Sequence, residues 1–414
     1  MQRRRDFLIG SAVSCAGFAP QRGAAAADIA IGVLYPMSGP GAQSGIDARR
    51  AFEVALEIVN GDHDLDLSAA RGGGLQGVGG AKIRLVFADH QGDPQKGRAE
   101  AERLITQEKV VAVLGAYYSS VAATASALCE RYGVPFVCAD TSSPNLTQRN
   151  LKYLFRPSAD DIMFSKTMFD FLDTMRKSRK KIDSVALFYE DTIYGVDSSN
   201  VQRRLAAERG YKVAADVKYK SNSPSLTAEV QLLKNADADV LLPTCYTNDA
   251  ILLTKTMGEL GFKPKAIIAQ AAGFSEKAVF DAVGDKLQGL ISRASFSLDL
   301  AAKRPSVGIV NEMFKKRADR DLNDNTARQF TAMLVLADAL NRAGSTDGAK
   351  LRAALAATDI PGTRTIMPWK KVVFDAGGQN PHATPVLIQY VGTKFVTVFP
   401  ESAAVAPAIW PMHS

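Results

Sequence analysis

The chain is poor in the residues that carry metal and thiol chemistry. Its 414 residues include four cysteines and four histidines. His63, His90, His382 and His413 are scattered, and none stands beside a cysteine or another histidine at metal-ligand spacing, so no metal is expected. Long apolar runs are missing as well. Phe7 to Ala19 comes nearest, but it is interrupted by serine and glycine and falls short of the roughly 20 residues a bilayer requires. Enzyme motifs are equally absent: there is no Gly-x-Ser-x-Gly elbow, Walker loop or dinucleotide fingerprint. Ser38-Gly39-Pro40-Gly41-Ala42-Gln43-Ser44-Gly45 joins a strand to a helix as a phosphate loop does, yet it lacks the terminal Lys-Ser/Thr and the spaced third glycine. It reads as a mobile loop at the mouth of a cleft. Ser119 has no histidine base near it in sequence. Neither catalysis nor a cofactor is expected.

What is present fits a globular protein, with 46% hydrophobic and 22% charged residues and a mean hydropathy of −0.05. The length suits two domains or one large one. Of the net charge of +7, three units lie in the first 27 residues, where Arg3, Arg4, Arg5 and Arg22 outweigh Asp6. The remaining +4 is thinly spread, and Arg176-Lys177-Ser178-Arg179-Lys180-Lys181 reads as a solvated helix end. No nucleic-acid partner is expected.

Arg4-Arg5-Asp6-Phe7-Leu8 and the apolar stretch after it resemble a bacterial twin-arginine export signal, with Ile9 where a basic residue is usual. Ala24 to Ala27 supply the small residues a signal peptidase accepts. Residues 1–27 are therefore read as a signal peptide and the mature protein as periplasmic. Lipid attachment at Cys15, after Ala12-Val13-Ser14, is the alternative. Cleavage leaves Cys129, Cys138 and Cys245, an odd count in an oxidising compartment. The first two read as buried apolar residues.

From Asp28 onward, short apolar strands alternate with amphipathic helices. The first series comprises strands at 29–35, 82–89, 110–114 and 134–139, with helices from Ile46, Pro94 and Val121 between and around them. Asp93-Pro94 supplies an N-cap and a first-turn proline. Arg71 to Gly80, rich in glycine, reads as a flexible surface loop. A second series begins after Phe155-Arg156-Pro157 and runs to a strand at 266–270. Strict alternation predicts an α/β fold with two doubly wound parallel sheets. Helices between Ser306 and Ala357 and strands from Lys371 are shared between the lobes.

Two turns stand out. Gly115-Ala116-Tyr117-Tyr118-Ser119-Ser120 and Asp140-Thr141-Ser142-Ser143-Pro144-Asn145 each follow a strand and open a helix. Ligands of open α/β sheets sit beyond the carboxyl ends of the strands. Free amides at a helix start, with hydroxyls beside them, suit a carboxylate. Plain N-capping is the competing reading.

These turns belong to a wider pattern. Ile31-Gly32-Val33-Leu34-Tyr35-Pro36-Met37-Ser38-Gly39-Pro40, Asp89 with Asp93-Pro94, Gly115 with Ser119-Ser120, Ser143-Pro144-Asn145-Leu146-Thr147, Phe155-Arg156, Tyr194-Gly195 and Leu260-Gly261-Phe262 occur in order along the chain. The chain thereby resembles the periplasmic binding proteins of branched-chain amino-acid ABC transporters, which include the leucine/isoleucine/valine-binding proteins. The resemblance implies a type I periplasmic binding protein, with two lobes joined by three crossings and closing on a small solute. Lobe 1 is expected over 28–156 and 295–366, and lobe 2 over 157–294 and 367–414. Crossings are expected near Arg156, Ser292 to Phe296 and Met367 to Val373.

By the same resemblance, Ser119 and Ser142 hold the ligand carboxylate, with Ser120 and Thr141 on the same wall. Tyr118 and Ser44 stand near its side chain, and Tyr194, Tyr246 and Gln270 on the opposite lobe. The implied partners are an amino acid or related small carboxylate and an inner-membrane ABC permease, and the implied state is a monomer. Two departures matter. The acid that pairs with an α-ammonium in leucine-binding members falls near Gln270-Ala271-Ala272, none of which is acidic. The positions of a family disulfide are Gly92 and Tyr118. The first departure opens the alternative of an aromatic carboxylate or an amide, with Asp140, Glu190 and Asp249 as substitute anions. A sensor on the same fold is the other alternative.

Overall fold

A computed structural model describes residues 27–178 and 180–412. The twin-arginine pair, Cys15, Arg179 and His413 lie outside the described residues. Two separate sheets form. The first contains β1 (Ile29–Tyr35), β2 (Ile83–Asp89), β3 (Ala112–Gly115), β4 (Phe136–Cys138) and β5 (Leu154–Phe155), all parallel in the order β2-β1-β3-β4-β5. Every residue of β1 is buried, as expected of a strand with helices on both faces. Those helices include α1 (Ala42–Asn60), α2 (Pro94–Thr106) and α3 (Ser119–Tyr132). Asp93 caps α2 by accepting from the Lys96 amide, and Pro94 occupies its first turn.

The chain then enters α4 (Asp161–Lys177), β6 (Ser184–Glu190), α5 (Ile193–Glu208), β7 (Lys212–Tyr219), α6 (Thr227–Ala236), β8 (Val240–Thr244), α7 (Thr247–Glu259), β9 (Ile268–Ala269), α8 (Lys277–Val283) and β10 (Ile291–Ala294). Strands β7-β6-β8 are parallel, and a Leu241–Ile267 bridge joins β8 to the parallel pair β9-β10. Helices α9 (Pro305–Ala318), α10 (Asp324–Ala343) and α11 (Gly348–Ala356) return to the first lobe, where α10 packs on α1. A short ribbon of β11 (Ile360–Pro361) and β12 (Lys371–Val372) precedes the hairpin β13 (Val386–Val391) and β14 (Lys394–Phe399). This hairpin extends the second sheet antiparallel to β10, so that sheet is not wholly parallel. Gly392, at φ +65°, makes the tight turn.

Two further details depart from expectation. Val372, Phe374 and Ala383 pack in the first lobe's core, and the chain joins the second sheet only at Val386. The third passage between lobes thus lies later than Met367 to Val373. Arg71 to Gly80 is docked: Leu75 is 2% exposed and bridges to Ala81, and the Gly77 amide donates to Asn341 Oδ1 at 2.8 Å. A Cβ at Gly77 would fall 1.9 Å from the Asn341 carbonyl oxygen, so glycine here permits close approach to α10 rather than mobility.

The first and third crossings run side by side. The Arg156 amide donates to Gly378 and the Asn380 amide to Arg156. The buried Arg156 guanidinium donates to Gln379 Oε1 at 2.6 Å, the Ser143 carbonyl at 2.7 Å and Thr147 Oγ1 at 3.0 Å. Gln379 and Asn380 return bonds to the carbonyls of Ser158 and Pro157. Cys129, Cys138 and Cys245 are buried and unpaired.

Candidate functional site

The carboxyl ends of both sheets face one cleft. At the end of β3, α3 begins at Ser119, and Tyr118 in the N-cap position makes no side-chain cap bond. The first-turn amides of α3 are thus left to a partner other than a cap. After β4, residues 140–143 form the adjoining wall. Tyr117, Ser119, Thr141, Ser142, Tyr194 and Tyr246 line a common cavity between the lobes, together with Asp140, Ala272, Arg293, Asn325 and Arg328. The space between them is about 10 Å³, room for about one water.

Tyrosines close the cleft. The Tyr246 ring lies 4.5 Å from Tyr118, 5.4 Å from Tyr117 and 5.2 Å from Tyr194 between centroids. The Tyr194 hydroxyl donates to the Gln270 carbonyl at 2.6 Å. Tyr246 is brought close by the following turn, because a Cβ on Gly273 would lie 2.6 Å from the Tyr246 carbonyl carbon.

Five of the expected residues therefore meet in the cavity: Ser119, Thr141, Ser142, Tyr194 and Tyr246. The Thr141 hydroxyl is engaged by Cys138 Sγ. Tyr118 backs Tyr246 without lining the cavity, and Ser120 follows Ser119 into the helix. Ser44 lies beside Tyr117 and Glu276. The Gln270 side chain turns elsewhere, donating to Asp161 Oδ1 at 2.8 Å and accepting from Gln202 at 3.2 Å.

The proposed substitute anions differ in placement. Asp140 lines the cavity and is held by Tyr35 and Gln329 at 2.9 and 2.6 Å. Burial raises its carboxyl and nearby Arg328 counteracts this. Glu190 is spent on the start of α5, accepting from Thr192 and Gly195. Asp249 accepts from Tyr219 and Asn222. Neither of the last two lines the cavity.

Sequence reasoning missed three charged groups. Arg293 lies in the buried strand β10, and Arg328 in the second turn of α10, on a buried stretch; both are 1% exposed. Cations in such apolar settings are themselves a signal. Glu276, 2% exposed, reaches across to Asn325 Nδ2 at 2.6 Å and Asn323 Nδ2 at 3.3 Å. Burial first, and Asp47 second, push its carboxyl up to about 7. Asp197 of α5 ties the lobes at a second point, accepting from Ser143 and Asn145. Among the described residues, no cluster of His, Cys, Asp or Glu could hold a metal ion, and no helix is long and apolar enough to cross a membrane.

Two α/β lobes, three connecting segments and a polar cleft between strand ends define a hinged solute receptor. Residues 28–391 match the model of the periplasmic binding protein family. The chain belongs to that family. It is 31% identical over 402 residues to the Leu/Ile/Val-binding protein homolog 7 of Brucella suis biovar 1 (strain 1330), covering 94% of this chain and 95% of that protein. Its fold is similar to a leucine-binding protein from Thermotoga maritima MSB8, with a TM-score of 0.76 and 21% identity, over 89% of this chain and 97% of that one. It is also similar to an ABC-transporter solute-binding protein from Rhodopseudomonas palustris BisB5 in complex with 3,4-dihydroxybenzoic acid. There the TM-score is 0.75 and the identity 18%, over 93% and 98% of the two chains.

Proposed function

We propose that the protein receives a small carboxylate in the periplasm and delivers it, as a monomer, to an inner-membrane ABC permease. The carrying observation is the convergence of Ser119, at the uncapped start of α3, with Ser142 in one interlobe cavity. A helix N-terminus and two hydroxyls offer donors and a favourable dipole to an anion. Family membership supports delivery, and the arginine pair at the N-terminus supports export. The solved relatives carry names or ligands of both kinds, leucine and a hydroxylated benzoate. The absence of an acid at Gln270-Ala271-Ala272 supports the second kind.

The test is a thermal-shift and calorimetric screen with leucine, phenylalanine, benzoate and 3,4-dihydroxybenzoate, since a ligand specific to the folded state raises the melting temperature. Ser119→Ala and Ser142→Ala should each cost roughly 1.5–3 kcal/mol, about ten- to a hundred-fold in affinity. Melting without solute should stay near that of the unaltered protein. Normal binding by both variants would refute the anchor.

A further inference from the structure

Arg293 and Arg328 share the cavity wall but not the same condition. Each guanidinium nitrogen of Arg328 has a partner: Nη1 donates to the Asp140 carbonyl at 2.6 Å, Nε to the Asp324 carbonyl at 3.3 Å and Nη2 to Asn325 Oδ1, with an ion pair to Asp324 Oδ2 at 2.9 Å. Arg293 is not so provided. Its one hydrogen bond among the described residues runs from Nη1 to Asp324 Oδ2 at 3.2 Å. Its Nε is buried without a partner, and its guanidinium carbon lies 3.7 Å from the centroid of the Phe164 ring. A guanidinium carries five N–H donors, so most of those on Arg293 have no acceptor among the described residues. Leaving charged donors unpaired in a buried place is costly.

The nearby carboxylates do not relieve it. Asp324 serves both guanidiniums and also accepts from the Ser295 amide. Asp140 is taken by Tyr35 and Gln329, and Asp161 by Ser198 and Gln270. Glu276 is taken by the two asparagines of the opposite lobe. Burial accordingly weakens the hold of Arg293 on its proton, despite the acid beside it.

We infer that Arg293 is a specificity residue: it takes an anionic or carbonyl oxygen of the solute from the second lobe while the serines hold it from the first, selecting acids without an α-ammonium over amino acids. An oxygen acceptor gains charge-assisted hydrogen bonds from the planar fork. An ammonium there would face a cation already short of anions. The inference rests on the proposed carboxylate receptor and concerns the same cavity.

The test compares matched pairs that differ only in the α-group: leucine against 4-methyl-2-oxopentanoate, and phenylalanine against phenylpyruvate, measured by calorimetry on the intact mature protein. At least one oxo acid should bind ten-fold or more tightly than its amino acid. Arg293→Gln should abolish that preference, and Arg293→Lys should retain part of it, whereas Ser119→Ala should weaken both members of a pair alike. Tighter binding of the amino acids, or an equal loss of both members in Arg293→Gln, overturns the inference and leaves the carboxylate receptor standing. If Arg293→Gln fails to fold by circular dichroism, the preference of the unaltered protein and of Arg293→Lys decides. No binding of any of the four acids, nor of benzoate, overturns the receptor reading itself.

Discussion

The two lobes meet the cleft with different chemistry. The first contributes two hydroxyl-bearing turns, with Ser119 at the start of α3 and Thr141 and Ser142 just beyond β4, beside Asn325 and Arg328 of α10. The second contributes side chains gathered from distant segments: Tyr194 from α5, Tyr246 before α7 and Arg293 from β10. The second set also leans on the first lobe. Tyr246 packs on Tyr117 and Tyr118, and Arg293 bonds to Asp324 of α10. The hydroxyls of one half are thus set by local turns, while the side chains of the other are held by contacts across the cleft.

The largest effect is expected where both halves are tied together. Arg156→Ala should destabilise the protein by about 3–5 kcal/mol, because it strands the acceptors of Gln379, Ser143 and Thr147 in a buried place. Urea unfolding measures this, and a loss under about 1 kcal/mol would mean the strap is dispensable.

A smaller effect attaches to Glu276. Its carboxyl stands at about 7 against an ordinary 4.5, so between those values the folded, closed protein binds more protons than the unfolded chain. Its contribution to stability is therefore fully present below about 4.5 and is lost as pH rises through about 7. One pKa unit corresponds to about 1.4 kcal/mol, which makes the span on the order of 3–4 kcal/mol. Glu276→Gln should flatten this component in melting curves taken from pH 4.5 to 8; an unchanged pH slope would remove Glu276 as its source.

The smallest effect belongs to Asp197→Asn, which keeps one acceptor oxygen for Asn145 while the Ser143 hydroxyl can turn to accept from the new amide. It should cost less than about 1 kcal/mol in melting and leave solute affinity within a few-fold by calorimetry. A larger loss would show that the second lobe depends on this rim contact as well.

The same contrast explains what could be read from the sequence. Alternating strands and helices were legible because a strand buried on both faces, such as β1, is a continuous apolar run. Ser119 and Ser142 were legible because their setting is local. Arg293, Arg328 and Glu276 were not, since Arg293 and Glu276 acquire meaning from Asp324, Asn323 and Asn325, and Arg328 from Asp140, which only folding brings near. Gln270 illustrates the reverse: its position near the cleft was foreseeable, but the pull of Asp161 and Gln202 on its side chain was not. The glycines from Gly72 to Gly80 suggested mobility until Asn341 supplied a surface against which Gly77 must fit.

The paired crossings have a mechanical consequence. Because the segments at Arg156 and at Gly378 to Asn380 are bonded to each other along both backbones and side chains, they bend together as one ribbon. The remaining connection, through Ser295, is a separate support held by the Asp324 carboxylate at 2.5 Å. Two supports define an axle. Rotation about it is soft, whereas twisting or sliding one lobe over the other strains a support.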